Sequence, residues 1–374
     1  MKNLLQGLLD QAGVTINGSK PYDIQVHDER FYKQFLLNPS LGAGESYMQG
    51  WWECAQLDEL FFRVTRHFNT NDLYHTWKMG VVRLINTLIN QQSQRRSKKV
   101  ANEHYNLDND LYQHMLGDTM AYTCAYWQGA DTLKQAQDNK FELVCKKIDL
   151  QAGDTVLELG CGWGSFAKYA AEKYGCRVVG VNISKEQIKY AKEFTKELPV
   201  EFFLCDYRNQ EIYNPNKIKF DKVVSIGLCE HIGYKNYRNF FQIVKNNLKE
   251  DGHFLLHTIG RNTSINFVDP WINKYIFPHG MLPSVKQLSE NMENLFVIED
   301  LHNFGVDYDK TLLAWHKNFV DYWPHLSLRY DEKFYRMWTY YLLSCAGVFR
   351  AREMQLWQFV LIPKGKLNGY RSVR

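Results

Sequence analysis

The first ninety residues carry apolar positions at helical spacing and little strand pattern. In "ECAQLDELFFRVTRHF" and "NDLYHTWKMGVVRLINTLIN" the apolar residues recur every three or four positions, as on a helix that buries one face. The polar stretch "NQQSQRRSKKVANEH" follows, and it carries Arg95, Arg96, Lys98 and Lys99. The pattern predicts a helical domain over 1–90 and a basic linker over 91–103, whose cations serve either solubility or attraction to anionic lipid.

From about residue 138, short apolar runs alternate with helical segments. The pattern predicts strands at 154–159, 177–183, 200–205, 220–227 and 252–260. Helices are expected near 138–149, after the glycines of "LGCGWG", over 184–198 and near 234–249. Two further strands, 295–301 and 356–363, flank helical segments at 309–323 and 331–351. This alternation predicts an α/β fold with a doubly wound, Rossmann-like sheet in a domain over 104–374, with ligand in the crevice beyond the strands' carboxyl ends.

Composition narrows the class of protein. The chain has 45 basic and 41 acidic residues, a net charge of +4, which is too small to argue for nucleic-acid binding. Its eight cysteines form no C-x-x-C pair, so reduced thiols are expected rather than a zinc site. Asp10 interrupts the first apolar segment, and no apolar run reaches the length of a membrane span. We therefore expect a cytoplasmic protein that at most lies on a membrane.

The stretch "VLELGCGWGSFAKYA" has the pattern of a strand, a glycine turn and the start of a helix. Glycines at positions 160, 162 and 164 let the backbone approach a ligand closely. A dinucleotide site would place glycine or alanine at the sixth position of G-x-G-x-x-G and an acidic residue near the end of the second strand, where this chain has Ser165 and Asn182. Glu158 followed by G-x-G-x-G is instead the arrangement usual in S-adenosylmethionine-dependent methyltransferases.

Residues near the next strand ends suit an adenosyl ligand. Asp206 follows the third strand, where a carboxylate accepts a hydrogen bond from an adenine amino group, and Tyr207 offers a stacking face. Gln187 lies early in the following helix and is placed for a ribose or carboxylate contact. Asp206 also fits an ordinary turn residue, and Gln187 also fits a solvated helix residue.

An acid, an imidazole and a thiol lie next to the predicted strands. "SIGLCEHIG" contains Glu230, "LLHTIG" contains His257 and Ile259, "AYTCAYW" contains Cys124, and "FGVDYDKTLLAWH" contains Tyr308. Each alone is a common core or capping residue, but this fold places its chemistry at the carboxyl ends of the strands. His253 and His257 stand too far apart on a strand to share one metal ion, and no G-x-S-x-G elbow indicates a hydrolase.

At these residues the chain resembles the bacterial cyclopropane-fatty-acyl-phospholipid synthases and, more distantly, the mycolic acid cyclopropane synthases. The resemblance covers nearly the whole chain and rests on "GESYMQGWWE", "HYNLDNDLY", "YTCAYW", "LELGCGWGSFAKYAA", "CEHIG", "LLHTIG", "DYDKTLLAWH" and "SCAGVFRAREMQLWQ". It implies transfer of a methylene group from S-adenosylmethionine to a cis double bond of a phospholipid acyl chain, with ring closure. It also implies a bound bicarbonate as general base, because an acyl carbocation offers no acidic group of its own.

The same resemblance implies the site residues. Bicarbonate is expected on Cys124, Glu230, His257, Tyr308 and the backbone at Ile259, with a proton on His257 or on bicarbonate because Glu230 lies beside an anion. Cofactor contacts are expected at Tyr122, Thr123, Glu158, Gly160, Gly162, Gly164, Asn182, Ile183, Gln187, Asp206, Tyr207 and Ile226. Thr123 and Asn182 stand where serine and threonine are usual. Cys345 matches a cysteine regarded as an active-site marker, and its position also fits a packed helix residue.

The resemblance further implies a homodimer and a phospholipid bilayer as partner. Trp51, Trp52 and Trp77, with Lys78 and Arg83, favour the headgroup boundary of an anionic leaflet. The N-terminal domain is therefore expected to contact lipid peripherally, at the inner face of the membrane. Three other functions stay open: methyl branching of the same alkene, lipid binding without catalysis, and methyl transfer to a soluble molecule.

Overall fold

The computed structural model describes residues 1–68 and 109–374, which fall into two compact units. Within these residues the first unit comprises 1–68, 266–279 and 308–354, and the second comprises 109–265, 280–307 and 355–374. The predicted helix in 71–90, the basic linker and the motif at His104 lie outside the described residues. The predicted domain boundary near residue 90 therefore stays a prediction.

The helices and strands are numbered along the described chain. The helices are α1 (Lys2–Gln11), α2 (Arg30–Leu37), α3 (Pro39–Met48), α4 (Leu57–His67), α5 (Asn109–Leu116), α6 (Leu133–Lys147), α7 (Ser165–Tyr174), α8 (Lys185–Phe194), α9 (Gln210–Tyr213), α10 (Tyr237–Asn247), α11 (Pro270–Tyr275), α12 (Val285–Met292), α13 (Val306–Leu326) and α14 (Glu332–Arg350). The strands are β1 (Gln25–Val26), β2 (Trp52–Glu53), β3 (Thr155–Leu159), β4 (Arg177–Asn182), β5 (Val200–Leu204), β6 (Phe220–Ile226), β7 (Leu248–Arg261), β8 (Val297–Asn303) and β9 (Met354–Ile362). None of the described helices has the length and apolar character to cross a membrane.

The first unit packs its helices around aromatic side chains. Trp52 is 2% exposed, its indole N–H donates to the Ala43 carbonyl at 3.0 Å, and its ring lies 5.1 Å from that of Tyr47. Trp52 is therefore a core residue of this unit, and the expectation that it faces lipid is wrong. Trp51 is half-buried under the Arg30 guanidinium, which lies 4.4 Å from the ring centroid.

One arginine ties three helices of the first unit together. Arg350, at the end of α14, donates through Nε and Nη2 to both carboxylate oxygens of Asp309 at 2.9 and 3.1 Å. Its Nη2 also donates to Asp58 of α4 at 2.6 Å. Planar guanidinium groups suit this two-pronged contact better than a lysine would. The pairing fixes the start of α13, where Tyr308 lies, against α14.

The second unit is built on a seven-stranded sheet with the order β5-β4-β3-β6-β7-β9-β8. Strands β3 to β7 pair in parallel, and the central ones are buried on both faces, as crossover helices require. The predicted α/β fold is confirmed. The pair β8–β9 is antiparallel. Two helices separate these strands in the chain, instead of the single crossover helix that joins parallel strands. The sequence pattern did not indicate this pairing. The order reverses at β3, which places the crevice at its carboxyl end.

Two helices differ from their predicted bounds for local reasons. α6 begins at Leu133, before the predicted residue 138, because Thr132 and Gln135 form a capping box. α8 ends at Phe194 and not at 198. There the Thr195 hydroxyl donates to the Ala191 carbonyl at 2.9 Å, and Pro199 disfavours a helical conformation in the residue before it.

Candidate active site

The glycine turn joins the end of β3 to α7 with three residues in the left-handed region. Gly160, Gly162 and Gly164 have φ of 83°, 52° and 83°, as the sequence predicted. A Cβ on Gly164 would lie 2.9 Å from Phe202 Cζ and 3.0 Å from Ala191 Cβ, closer than real contacts. Glycine is therefore required at 164 for two reasons: its φ is positive, and residues of β5 and α8 leave no room for a Cβ.

The end of β4 carries a short hydrogen-bonded network over this turn. Asn182 donates from Nδ2 to Gln187 Oε1 at 2.7 Å and to the Gly162 carbonyl at 3.3 Å. Its Oδ1 accepts from the Ile183 amide at 2.7 Å, and Ser184 caps α8. Asn182, Ile183 and Gln187, predicted as cofactor contacts, thus lie together around Gly162. Gln187 is buried and not the solvated helix residue of the alternative interpretation.

Asp206, two residues beyond β5, is 2% exposed and paired within its own turn. Arg208 donates to its carboxylate from Nε and from Nη2, both at 2.7 Å. Oδ1 also accepts from the Arg208 amide at 3.0 Å, so these bonds use Oδ1 twice and Oδ2 once, and the adenine contact predicted for Asp206 would fall on Oδ2. Tyr207 is buried, and its ring lies nearly perpendicular to that of Phe240 at 5.6 Å between centroids, so part of this predicted stacking residue belongs to the core. Arg208 was not predicted, because its partner lies two residues away in a turn without a recognisable motif.

Helix α6 holds the segment that carries Tyr122, Thr123 and Cys124. Gln137 donates from Nε2 to the Thr123 carbonyl at 2.9 Å, and the ammonium of Lys140 donates to Thr123 Oγ1 at 2.8 Å. Both side chains are fully buried. The hydroxyl oxygen of threonine accepts such a bond as well as that of serine does, so Thr123 can replace the usual serine here.

Lys140 is the buried cation of this region, and it acts on several predicted residues. Burial lowers its pKa to about 7, against the charges of Cys124 and Glu158. Burial raises the pKa of Glu158 to about 8, against the charge of Lys140. Lys140 also helps to depress the pKa of His257. The sequence showed Lys140 only as one lysine of a polar helix, so its role could not be found without the fold.

Glu230 lies on a 3₁₀ turn, Cys229–His231, that follows β6. Its Oε1 accepts from the Ile259 amide at 2.7 Å, whereas Oε2 is buried without a hydrogen-bond partner among residues 1–68 and 109–374. Burial raises the pKa of Glu230 to about 7, although the hydrogen bond from the Ile259 amide opposes this. The backbone at Ile259, which the resemblance implies as an anion contact, thus uses its amide to hold Glu230.

His257 lies on β7, beside the end of β6, where it pairs in register with Ile226. It is 1% exposed, and its Nδ1 lies 3.2 Å from Gln358 Nε2. Burial, with the charges of Lys140 and Lys147, holds its pKa well below the usual range. Its Nε2 is buried with no partner in the described part of the chain. A neutral imidazole thus lies on β7 beside the end of β6, and a carboxyl group near its titration point lies on the turn that follows β6.

Tyr308 and Cys345 belong to the first unit, whereas Cys124, Glu230, His257 and Ile259 belong to the second. Tyr308 packs on Phe349 at 4.5 Å and on Trp315 at 5.9 Å between ring centroids. Cys345, on α14, is half-buried, and burial raises the pKa of its thiol to about 12. A thiol in this state is a weak nucleophile, which favours a packing role. The convergence of both residues with the others stays a prediction.

Comparison with known proteins identifies the family. A family model described as mycolic acid cyclopropane synthetase matches residues 92–359. The chain belongs to this family. The cyclopropane-fatty-acyl-phospholipid synthase of Escherichia coli K12 is 50% identical over 369 residues, which cover 98% of this chain and 94% of that protein. A probable fatty acid methyltransferase of Pseudomonas putida is 34% identical over 291 residues, 75% of this chain and 72% of the relative. The resemblance predicted from the motifs is confirmed.

Solved structures of the family share the fold. Mycolic acid cyclopropane synthase CmaA1, solved with SAH and CTAB, has a TM-score of 0.64 and 30% identity over 71% of this chain and 97% of its own. The cyclopropane synthase MmaA2 of Mycobacterium tuberculosis has a TM-score of 0.65 and 28% identity with the same coverage. The chain is accordingly an enzyme of the S-adenosylmethionine-dependent methyltransferase class.

The glycine turn gives a direct test of the cofactor site. We expect Gly164→Ala to weaken S-adenosylhomocysteine binding by about tenfold, because a left-handed alanine costs about 1–2 kcal/mol and its Cβ displaces the turn. Gly175→Ala is the matched control, since Gly175 ends the same helix with φ 64° and its Cβ would meet no described heavy atom within 4 Å. Titration calorimetry measures both affinities. Equal affinities in the two variants would contradict a cofactor site at the turn.

Proposed function

We propose that the protein transfers a methylene group from S-adenosylmethionine to the cis double bond of an unsaturated acyl chain in a membrane phospholipid, forming a cyclopropane ring. One observation carries the proposal: Glu230 Oε2, on the turn that follows β6, and His257 Nε2, on β7 beside the end of β6, are buried without partners among the described residues. Buried polar atoms of this kind cost free energy unless a polar ligand binds them. The 50% identity to the Escherichia coli synthase supports an acyl substrate.

The reaction needs a proton acceptor in a site without water. Attack of the alkene on the sulfonium methyl forms one C–C bond, breaks the S–C bond and releases S-adenosylhomocysteine. The cation left on the acyl chain has no acidic O–H or N–H. Loss of one methyl proton frees a C–H electron pair that closes the ring. A bound bicarbonate would supply the base for this loss.

The side chains at the strand ends fit a small anion that carries one hydroxyl. Glu230 Oε2 is an acceptor when ionised, and a neutral His257 with hydrogen on Nε2 is a donor. These two groups match the hydroxyl and one unprotonated oxygen of bicarbonate. Cys124, at the buried segment held by α6, and Tyr308 are proposed as further contacts on the strength of the resemblance. Lys140 adds positive potential, which offsets the repulsion between two anions.

The protonation states favour one of the two arrangements predicted from the sequence. His257 is neutral, because burial and two lysine charges depress its pKa. The proton between Glu230 and the anion therefore belongs to bicarbonate and not to His257. Glu230, with a pKa of about 7, can accept that proton at Oε2 and release it again during turnover.

A second reaction deserves a direct comparison, because two relatives bear the name of methyltransferases. The protein of Pseudomonas putida is a probable fatty acid methyltransferase, and a sphingolipid C9-methyltransferase of Komagataella phaffii is 32% identical over 295 residues. Methyl branching uses the same cofactor and alkene, but the product keeps a double bond. Lipid binding without catalysis would not require a buried acid whose pKa lies near neutrality.

Product analysis separates ring closure from branching. We expect phospholipids from cells that express the protein to gain one CH₂ per modified chain and to resist cleavage by ozone there, because the ring consumes the alkene. Mass spectrometry before and after ozonolysis measures both properties. Modified chains that ozone still cleaves would establish branching instead, and cells that carry the empty vector provide the control.

Glu230 gives a test of the proton-accepting role. We expect Glu230→Gln to lower kcat by about 100-fold or more while S-adenosylhomocysteine affinity stays unchanged, because an amide cannot take the proton. Since the pKa of Glu230 is about 7 and its ionised form is active, wild-type kcat should rise from about pH 6 to about pH 8, and this limb should vanish in the variant. Glu250→Gln, at an exposed position of β7, is the control. Near-normal turnover by Glu230→Gln would refute the role.

We also propose that the first unit binds anionic bilayers peripherally, at the inner face of the membrane, and that the protein is a homodimer. Leu4 on α1 and Leu37 on α2 are each 61% exposed, and Arg30 and Lys33 lie on α2. Exposed leucines on helices and an exposed lysine suit insertion at the headgroup boundary, although Arg30 is paired with Asp28. Trp52 is excluded from this surface by its burial.

Vesicle binding tests the membrane proposal. We expect the double substitution Leu4→Asp and Leu37→Asp to weaken sedimentation with phosphatidylglycerol vesicles by at least about tenfold, because burial of one leucine contributes about 2 kcal/mol. Leu367→Asp is the control, since Leu367 is 91% exposed in the second unit. Retained sedimentation of the double variant would place the lipid contact elsewhere. Analytical ultracentrifugation without vesicles checks the dimer, which a monomeric mass would exclude.

A further inference from the structure

Gln358, on β9, is a buried side chain that the sequence analysis did not select. It is 0% exposed, and its Nε2 lies 3.2 Å from Nδ1 of His257. Strand β9 lies next to β7 in the sheet, so the contact joins two neighbouring strands. The imidazole also packs against Phe304, whose ring centroid lies 5.9 Å away at an interplanar angle of 67°. The glutamine contacts the edge of the imidazole at Nδ1, and both neighbours restrict its orientation.

The amide fixes which nitrogen of His257 carries hydrogen. An amide nitrogen only donates hydrogen bonds, so Nδ1 must accept and cannot carry a hydrogen. His257 is neutral, because burial depresses its pKa, and a neutral imidazole carries one hydrogen. That hydrogen is therefore on Nε2, the atom with no partner in the described chain.

The tautomer decides whether an anion can bind. With hydrogen on Nε2, the imidazole presents a donor, and Glu230 Oε2 supplies the acceptor for a hydroxyl. With hydrogen on Nδ1, the lone pair of Nε2 would face the anion, and a hydrogen bond would be replaced by repulsion. The orientation of the Gln358 amide, with Nε2 rather than Oε1 beside Nδ1, is therefore what selects the tautomer, and Oε1 is buried without a partner in the described part of the chain.

We propose that Gln358 is a positioning residue that holds His257 in the Nε2–H tautomer and thereby makes the imidazole a donor to the bound anion. The contact between Gln358 and His257 is independent of the proposed bicarbonate site. The effect of the tautomer on anion binding rests on that proposed site. A glutamine is suited to the task because its amide stays neutral and donates at every pH. Glutamate in its place would accept from Nδ1–H when ionised and would stabilise the opposite tautomer.

Nitrogen NMR of the histidine side chains tests the tautomer without a variant. In the wild-type protein labelled with ¹⁵N-histidine, we expect the His257 signals to show an unprotonated Nδ1 and a protonated Nε2. His257→Asn assigns the signals by their loss, since the chain has 12 histidines. A protonated Nδ1 in the wild-type protein would overturn the proposal, whatever any variant does.

Two variants then test the consequence. Gln358→Glu should move the hydrogen of His257 to Nδ1 and raise the KM for bicarbonate by about tenfold or more, with S-adenosylhomocysteine affinity unchanged. Gln358→Leu should give a mixture of tautomers and a smaller rise in KM. Gln355→Glu is the matched control, because Gln355 lies on the same strand, is buried, and accepts from Asn303 at 3.0 Å. It should change neither quantity.

The outcomes distinguish the positioning of His257 from the presence of a bicarbonate site. A tautomer shift in Gln358→Glu together with a raised KM supports both the positioning role and the anion site. A tautomer shift in an enzyme that needs no bicarbonate supports the positioning of His257 and overturns the proposed anion. An unchanged tautomer and an unchanged KM in folded Gln358→Glu overturn the positioning role itself.

Discussion

The hydrogen bond from the Ile259 amide to Glu230 Oε1, 2.7 Å long, is the interaction on which the candidate site depends. It fixes a carboxyl group on a turn after β6 to the neighbouring strand β7, and the parallel register of these strands sets the distance between them. Because only one carboxylate oxygen is used, the other is held in a defined direction without a partner in the described residues. A buried acid held in this way has a pKa near neutrality, which is the property that a proton acceptor needs.

Burial also shifts the pKa of two other ionisable groups in the second unit. Lys140 and Glu158 are both buried, and burial shifts the pKa of each towards the neutral form. With a pKa of about 7, Lys140 is partly protonated near neutral pH, and a nearby anion favours its charged form. Its hydrogen bond to Thr123 connects that response to the segment that carries Cys124. Lys140 thus contacts Thr123 directly and acts on Glu158 and His257 through its charge.

What the sequence predicted well is what local pattern determines. The glycine turn, the strands of the sheet and the residues at their carboxyl ends all follow from short motifs and from hydrophobic periodicity. Gln358, Lys140 and Arg208 were missed because each is defined by a contact that their own segments do not show. Gln358 stands in an apolar strand, and only the pairing of β9 with β7 brings it to His257. Trp52 was misjudged because amphipathic tryptophans suit a core and a lipid boundary equally.

The route of the chain has a consequence for how this protein can be recombined. The first unit takes its helices from three separate stretches, 1–68, 266–279 and 308–354 among the described residues, so it is not a module that a single cut releases. Arg350 of the third stretch is paired with Asp58 of the first. An exchange of the N-terminal ninety residues with a homologue would therefore split a cooperative core between two parents. Functional chimaeras require all three stretches to be inherited together.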